Sequence, residues 1–259
     1  MLPSPITASM RSFFKSAKPL PPAPFPASAK VPELNDAELA AVYYGQRIGG
    51  DFYDFIRVAP NRVLFGLLDV AGRFEENRGI ISATQDTFRK RGPELFAGQD
   101  VNEAEAMTEL YIELNRTVLN HSGLRACPAF AGCYNEDLGV VCYFNGGHTP
   151  GLVRDGAGVS ELPATGLPLG LFSHATCDAL MVALDPSAVI LLASRGIVEA
   201  KCKSEEMGLE RLKEIFQGTT AASAKEHCLT VLDKVQEFMC TPPTHDDVTA
   251  LALRRAAKR

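Results

Sequence analysis

The chain has 259 residues and a mass of 27.9 kDa, is 46% hydrophobic and 22% charged, and carries a net charge of −5 with a pI near 5.6. That apolar content is enough to build a large core and excludes a disordered chain, while the acidic balance argues against a general nucleic-acid binder. No run of about 18 apolar residues exists, so no membrane span is expected.

Met1 to Lys30 contains seven prolines and no continuous apolar stretch. Proline fixes φ and removes an amide donor, so residues 1–34 are expected to form an extended arm rather than a signal peptide. Residues 35–259 then read as one dense domain. Apolar runs of four to eight residues at 62–69, 129–134, 139–144, 179–184, 188–193 and 248–253 predict strands, and their near-continuous apolarity predicts cover on both faces. The segment 135–139 ends in Gly139 and predicts a hairpin connection.

Four stretches carry helical spacing instead. Ile80, Ile81, Thr84 and Phe88 share a face between 75 and 91. Met107, Leu110, Tyr111, Leu114 and Val118 form a stripe after Asn102, a candidate cap. Leu209, Leu212, Ile215 and Phe216 form a third stripe, closed by Gly218, and Leu232, Val235, Phe238 and Met239 a fourth, stopped by Pro242. Strands, two helices, more strands, two helices and a last strand do not alternate strictly, which predicts an α+β fold of antiparallel sheets with helices on their outer faces. The seven cysteines are odd in number, widely spread and free of any Cys-x-x-Cys pair. They are expected to be reduced core residues of a cytoplasmic protein.

Several catalytic kits are absent: no Gly-x-Ser-x-Gly elbow, no phosphate-cradling Gly-x-x-x-x-Gly-Lys-Ser/Thr and no His-Glu-x-x-His. His148 lies in a turn between two expected strands, where a structural role is favoured. His245 stands beside paired acids, where it either contacts a bound phosphate or water or caps the preceding turn. Gly166-Leu167-Pro168-Leu169-Gly170 predicts a rigid loop. The acids stand out. Asp51 and Asp54, Asp69, and Asp246 with Asp247 sit at the tips of apolar runs beside glycines, and such carboxylates suit hard divalent cations. Taken singly, each also reads as a strand terminator or solvated turn.

Gly49-Gly50-Asp51-Phe52-Tyr53-Asp54-Phe55, Asp69-Val70-Ala71-Gly72, Asn145-Gly146-Gly147-His148-Thr149-Pro150-Gly151, Gly166-Leu167-Pro168-Leu169-Gly170 and Asp246-Asp247-Val248-Thr249 occur in this order. The series resembles the metal-dependent serine/threonine protein phosphatases of the PPM type, in the bacterial branch of stage II sporulation protein E and the sigma-factor-regulator phosphatases. The resemblance implies a four-layer αββα sandwich, two antiparallel sheets flanked by helix pairs. It also implies two Mg²⁺ or Mn²⁺ ions at one end of that sandwich. Asp69 resembles the bridging aspartate and Val70 the carbonyl donor. Asp51 resembles the acid that holds metal-bound water, and Asp246 the late ligand, with Asp247 beside it. The implied substrate is a phosphorylated protein such as an anti-sigma-factor antagonist, with neither nucleic acid nor membrane as partner.

Two departures stand out. The family motif Thr-Asp-Gly-Val/Ile-x-Glu appears here as Ser194-Arg195-Gly196-Ile197-Val198-Glu199. Arginine offers donors only and cannot ligate a metal. Asp51, Asp69 and Asp246 with Arg195 leave a charge that one divalent ion balances, so one metal, or none, becomes possible, with the guanidinium in the place of the second. The usual His-Gly after Asp-Val-Ser-Gly is also replaced, and Arg73 there is either a phosphate contact or a surface residue. The sequence therefore leaves two readings: a phosphatase weakened by Arg195, or a catalytically silent pseudophosphatase that binds a phosphorylated partner.

Overall fold

The computed structural model describes residues 29–44, 50–122, 126–240 and 247–257. In chain order the elements are β1 (Ala37–Tyr44), β2 (Asp51–Ala59), β3 (Arg62–Asp69), α1 (Phe74–Phe96), α2 (Glu103–Ser122), β4 (Ala129–Asn135), β5 (Val140–Gly146), β6 (Gly151–Asp155), β7 (Gly158–Leu162), β8 (Leu180–Ala183), β9 (Val189–Ala193), α3 (Arg195–Val198), β10 (Lys201–Cys202), β11 (Glu205–Glu206), α4 (Gly208–Gly218), α5 (Ala224–Phe238) and β12 (Val248–Arg255). One sheet runs β1-β12-β9-β6-β7 and the other β2-β3-β4-β5-β8, with every neighbouring pair antiparallel. The expected α+β sandwich is present: α1 and α2 cover the second sheet, α4 and α5 the first.

Side-chain parity explains the apolar runs. Along β3, Val63, Phe65 and Leu67 point between the sheets, while Leu64 and Leu68 point at α1 and α2. Along β12, Leu251 and Leu253 enter the inter-sheet core, while Ala250 and Ala252 lie under α4 and α5. Strands covered on both faces need no alternation of polar residues. The helices follow their stripes: Ile81, Phe88, Met107, Leu110 and Tyr111 are fully or nearly buried, and Asn102 Oδ1 accepts from the amides of Ala104 and Glu105 as the expected cap. At the 135–139 connection, Gly139 adopts φ 65° and its amide donates to the Asn135 carbonyl at 2.8 Å, as the hairpin reading requires. The Gly166–Gly170 loop is anchored on α2, where Tyr111 Oη donates to the Leu167 carbonyl at 2.7 Å and the Gly170 amide to Asn115 Oδ1 at 2.7 Å.

Three expectations need amending or fall outside the described residues. Residues 1–28 of the expected arm lie outside them; of the remainder, Ala29 and Leu34 pack against the inter-sheet core. Asp51 opens a strand rather than ending one. Five cysteines are buried and free, but Cys202 and Cys240 form a disulfide, which corrects the expectation of seven reduced thiols. Packing of the β10–β11 hairpin against the end of α5 brings together two residues 38 apart in sequence.

The turn before β9 places a further, small prediction. Ser187 has φ 71° and the Ala188 amide donates to the Asp185 carbonyl at 2.9 Å, so Ser187 occupies the left-handed position of a turn that favours glycine. Ser187→Gly is expected to stabilise the fold by about 0.5–1 kcal/mol, net of the extra chain entropy of glycine. A denaturation midpoint that stays put or falls would contradict this.

Candidate active site

The parity that builds the core also builds the site. Asp51 shares the inner face of β2 with Phe55, Asp69 that of β3 with Leu67, and Thr249 that of β12 with Leu251. Asp51 and Asp69 are direct cross-strand partners. Ser194, at the end of β9, pairs through its backbone amide with the Thr249 carbonyl at 2.9 Å. These groups therefore meet at one open end of the cleft between the sheets.

Close backbone approach makes this end tight. A Cβ on Gly50 would lie 1.9 Å from the Val70 carbonyl oxygen, so only glycine lets the start of β2 run beside the residue after Asp69. Asn77, buried in the first turn of α1, donates from Nδ2 to the Val70 carbonyl at 3.2 Å and to the Ala71 carbonyl at 3.1 Å. It fixes the loop that carries the expected carbonyl ligand, and a carbonyl with two lone pairs keeps one for another donor or a cation. Across the cleft, Ser194 Oγ donates to the Asp247 carbonyl at 3.1 Å and accepts from the Thr249 amide at 3.0 Å. Asp247 Oδ2 in turn accepts the Asp51 amide at 3.1 Å, which ties β2 of one sheet to the start of β12 in the other. Asn77 and Ser194 were not singled out as site residues from sequence. Their signal is a buried polar side chain at an element end, which one sequence does not display.

Electrostatics single out Asp51. Burial, then the neighbouring Asp69 charge, pushes its carboxyl well above the usual carboxylate range, with Asp247 adding to the shift and the nearby hydroxyls of Thr249 and Ser194 opposing it. Its Oδ2 is buried without a hydrogen-bond partner among the described residues. Arg195 answers part of this charge: its Nε lies 3.2 Å from Asp69 Oδ2, with the arginine side chain 42% exposed and that of Asp69 9%. The arginine thus reaches from α3 into the cleft while one side of it faces solvent.

These residues fit one hard cation. The carboxylates of Asp51 and Asp69, the first with an oxygen lacking a partner among the described residues, and the Val70 carbonyl are oxygen donors whose charge Arg195 offsets only in part. Where the family motif has a further acid, the guanidinium of Arg195 stands against Asp69 instead. Among the described residues no three acid, histidine or cysteine side chains assemble a complete metal cluster. Asp246 and His245, the expected late ligand and its neighbour, lie outside those residues.

The other expected site residues separate. Asp54, three positions after Asp51, faces the opposite side of β2, under α1. There it accepts from Arg89 Nε at 2.7 Å, Arg89 Nη2 at 3.0 Å and Gln85 Nε2 at 3.1 Å, so it is a structural anchor and not part of the cleft. Arg73 precedes α1 with its side chain exposed, and its carbonyl accepts from the amides of Glu76 and Asn77. His148 is a buried turn residue whose amide donates to Asn145 Oδ1 at 2.8 Å; burial lowers its pKa to about 4.

Known proteins share this fold. The phosphoserine phosphatase RsbP of Bacillus subtilis (strain 168) is 24% identical over 210 residues, covering 80% of this chain and 50% of RsbP. Among solved structures, the RsbU and RsbW domains of Rv1364c from Mycobacterium tuberculosis superpose with a TM-score of 0.74 at 21% identity, covering 91% of this chain and 64% of that one. The PP2C phosphatase domain with a regulatory fragment of SpoIIE from Bacillus subtilis gives 0.69 at 15% identity, covering 85% and 63%. The chain thus spans about half to two thirds of the length of these relatives. Residues 60–256 match the family described as Stage II sporulation protein E (SpoIIE), a stretch that runs from the start of β3 to the end of β12, and the chain belongs to that family.

Proposed function

We propose that this chain is a phosphoprotein serine/threonine phosphatase of reduced turnover, in which one Mg²⁺ or Mn²⁺ and the fixed charge of Arg195 share the work of two metal ions. The observation that carries this reading is the 3.2 Å contact of Arg195 Nε with Asp69 Oδ2, opposite an Asp51 oxygen without a partner among the described residues. Asp51, Asp69 and the Val70 carbonyl would hold the cation, with Asp246 completing the set. When bound, such an ion lowers the pKa of a water and neutralises phosphoryl charge. Arg195, part exposed, orients the phosphoryl oxygens, since a guanidinium matches phosphate geometry. Kinship with RsbP and SpoIIE supports a small phosphorylated regulator as substrate, of the anti-sigma-factor-antagonist class, in the cytoplasm. Among the described residues no helix is long and apolar enough to cross a membrane.

The test is manganese-dependent hydrolysis of para-nitrophenyl phosphate and of a phosphoserine peptide by the purified chain. Asp69→Asn is expected to lower the rate by at least about 100-fold, because it removes charge from both the cation and Arg195. No metal-dependent hydrolysis by the native chain would reject the enzyme. The arginine on Asp69 also favours a second reading, a pseudophosphatase that binds a phosphorylated partner without turnover. It requires a phosphopeptide to bind without metal and to lose affinity in Arg195→Ala.

A further inference from the structure

We infer that Cys202 and Cys240 form a reversible thiol–disulfide pair that ties the redox state of the chain to the active-site end of the sandwich. The two sulfurs are bonded, with Cα atoms 4.7 Å apart. Their setting differs from that of every other cysteine. Cys127, Cys133, Cys142, Cys177 and Cys228 are buried, and burial raises the thiol pKa to about 12 for Cys142, Cys177 and Cys228 and well above the usual thiol range for Cys127 and Cys133. Such thiols are poor nucleophiles and out of reach of an oxidant. Cys240 is exposed and Cys202 half-buried. An oxidant therefore meets one pair and not seven equivalent thiols.

The pair is held together by more than its own bond. Arg211 of α4 pairs with Glu205 of the β10–β11 hairpin at 3.3 Å, and its guanidinium stacks 4.6 Å from the ring centroid of Phe238 at the end of α5. One arginine thus gathers the hairpin that carries Cys202 and the helix end that precedes Cys240. This contact joins the same two elements as the disulfide, and on the proposal it keeps the reduced thiols near each other. That is the requirement for a reversible pair.

Position connects the pair to the site. Cys202 follows Arg195 by seven residues, and Cys240 precedes Asp247 by seven. Arg195 holds Asp69, and Asp247 holds the Asp51 amide. The crosslink therefore anchors, from outside, segment 195–202, which brings the Arg195 cation to the cleft, while closing a loop that contains all of α4 and α5. The chemistry is balanced with a peroxide as oxidant. One thiolate attacks a peroxide oxygen, the O–O bond breaks, and a sulfenic acid forms with loss of water. The second thiolate then displaces hydroxide from that sulfur, so two thiols are oxidised and one peroxide is reduced to two waters. A dithiol reverses the bond through a mixed disulfide.

The thiol chemistry stands apart from the proposed activity, whereas its coupling to the cleft rests on that reading. The experiment uses the full chain, treated with one equivalent of hydrogen peroxide or with dithiothreitol. Counting thiols after unfolding should give five free thiols in the oxidised chain and seven in the reduced one, with Cys240→Ser giving six after dithiothreitol and no intramolecular disulfide after peroxide. The oxidised chain should melt about 5–10 °C above the reduced one, a difference lost in Cys240→Ser and in Cys202→Ser. Manganese affinity, read by calorimetry, should fall at least about threefold on reduction of the native chain and stay unchanged in Cys240→Ser. Seven thiols after peroxide, or a bond mapped by mass spectrometry to other cysteines, would overturn the pair. A correct bond with a melting shift but equal manganese affinity in both states would overturn the coupling. Absence of hydrolysis with all three readouts intact would count against the phosphatase reading alone.

Discussion

Arg195→Asp is expected to raise manganese-dependent phosphatase activity by at least about 100-fold and to change the manganese stoichiometry from one to two. The native side chain is a permanent cation with no lone pair, standing 3.2 Å from Asp69 Oδ2. It neutralises charge at Asp69 without supplying a Lewis acid. Aspartate at 195 removes that competitor and adds an oxygen donor at the position where the family motif has one. Without metal the same substitution should destabilise the fold, because a further carboxylate joins Asp51 and Asp69, and Asp51 is already pushed toward its neutral form by burial and by Asp69. Manganese should restore the lost stability by mass action, which separates a rebuilt site from a damaged one. Arg195→Ala supplies the control: it should gain little in rate if arginine helps hold the phosphoryl group, and should gain substantially if arginine only blocks a metal. An Arg195→Asp chain with unchanged stoichiometry and rate would show that position 195 does not face the metal site.

How far the sequence could be read depends on which physical signal each element carries. The runs that became β3, β4, β5, β9 and β12 were legible because both faces of these strands are covered, so apolarity is continuous. The edge strand β1 was not, because it mixes exposed Glu38 and Tyr43 with buried Leu39 and Ala40, and β6 and β7 are only five residues each. Acids at strand tips marked the end of the sandwich where Asp51 and Asp69 face each other. Asp51 carried a role from the family resemblance and Asp54 did not, and odd spacing in a strand sends the first to the cleft and the second under α1. The contact between Arg195 and Asp69 followed from a motif with one foreign residue. The Cys202–Cys240 bond carried no such mark, since a six-residue hairpin meeting a helix end has no sequence period.

Glu103→Ala is expected to cost about 3–5 kcal/mol, and to lower the melting temperature by about 6–15 °C, without touching the cleft. Glu103 opens α2 and reaches the end of the second sheet away from Asp69. Its Oε1 accepts from Arg62 Nε at 2.6 Å and from Asn135 Nδ2 at 2.7 Å, and Arg62 and Asn135 are cross-strand partners at the start of β3 and the end of β4. Both members of the ion pair are buried, with side chains 8% and 7% exposed, and Arg62 also donates to the Gly98 carbonyl at 2.8 Å from the loop between α1 and α2. Truncating the carboxylate leaves a buried guanidinium without its counter-charge and a buried amide without an acceptor, and that loss exceeds the methylene packing removed. Glu103→Gln keeps an acceptor for Asn135 and should cost less. Replacing Arg62 and Glu103 together by leucine should recover most of the loss, because no charge is then buried. Urea denaturation of the four chains checks the ranking, and a Glu103→Ala cost below about 1 kcal/mol would show that water reaches the network. Manganese affinity measured well below the melting point should be the same in Glu103→Ala as in the native chain, since the network and the cleft lie at opposite ends of β3.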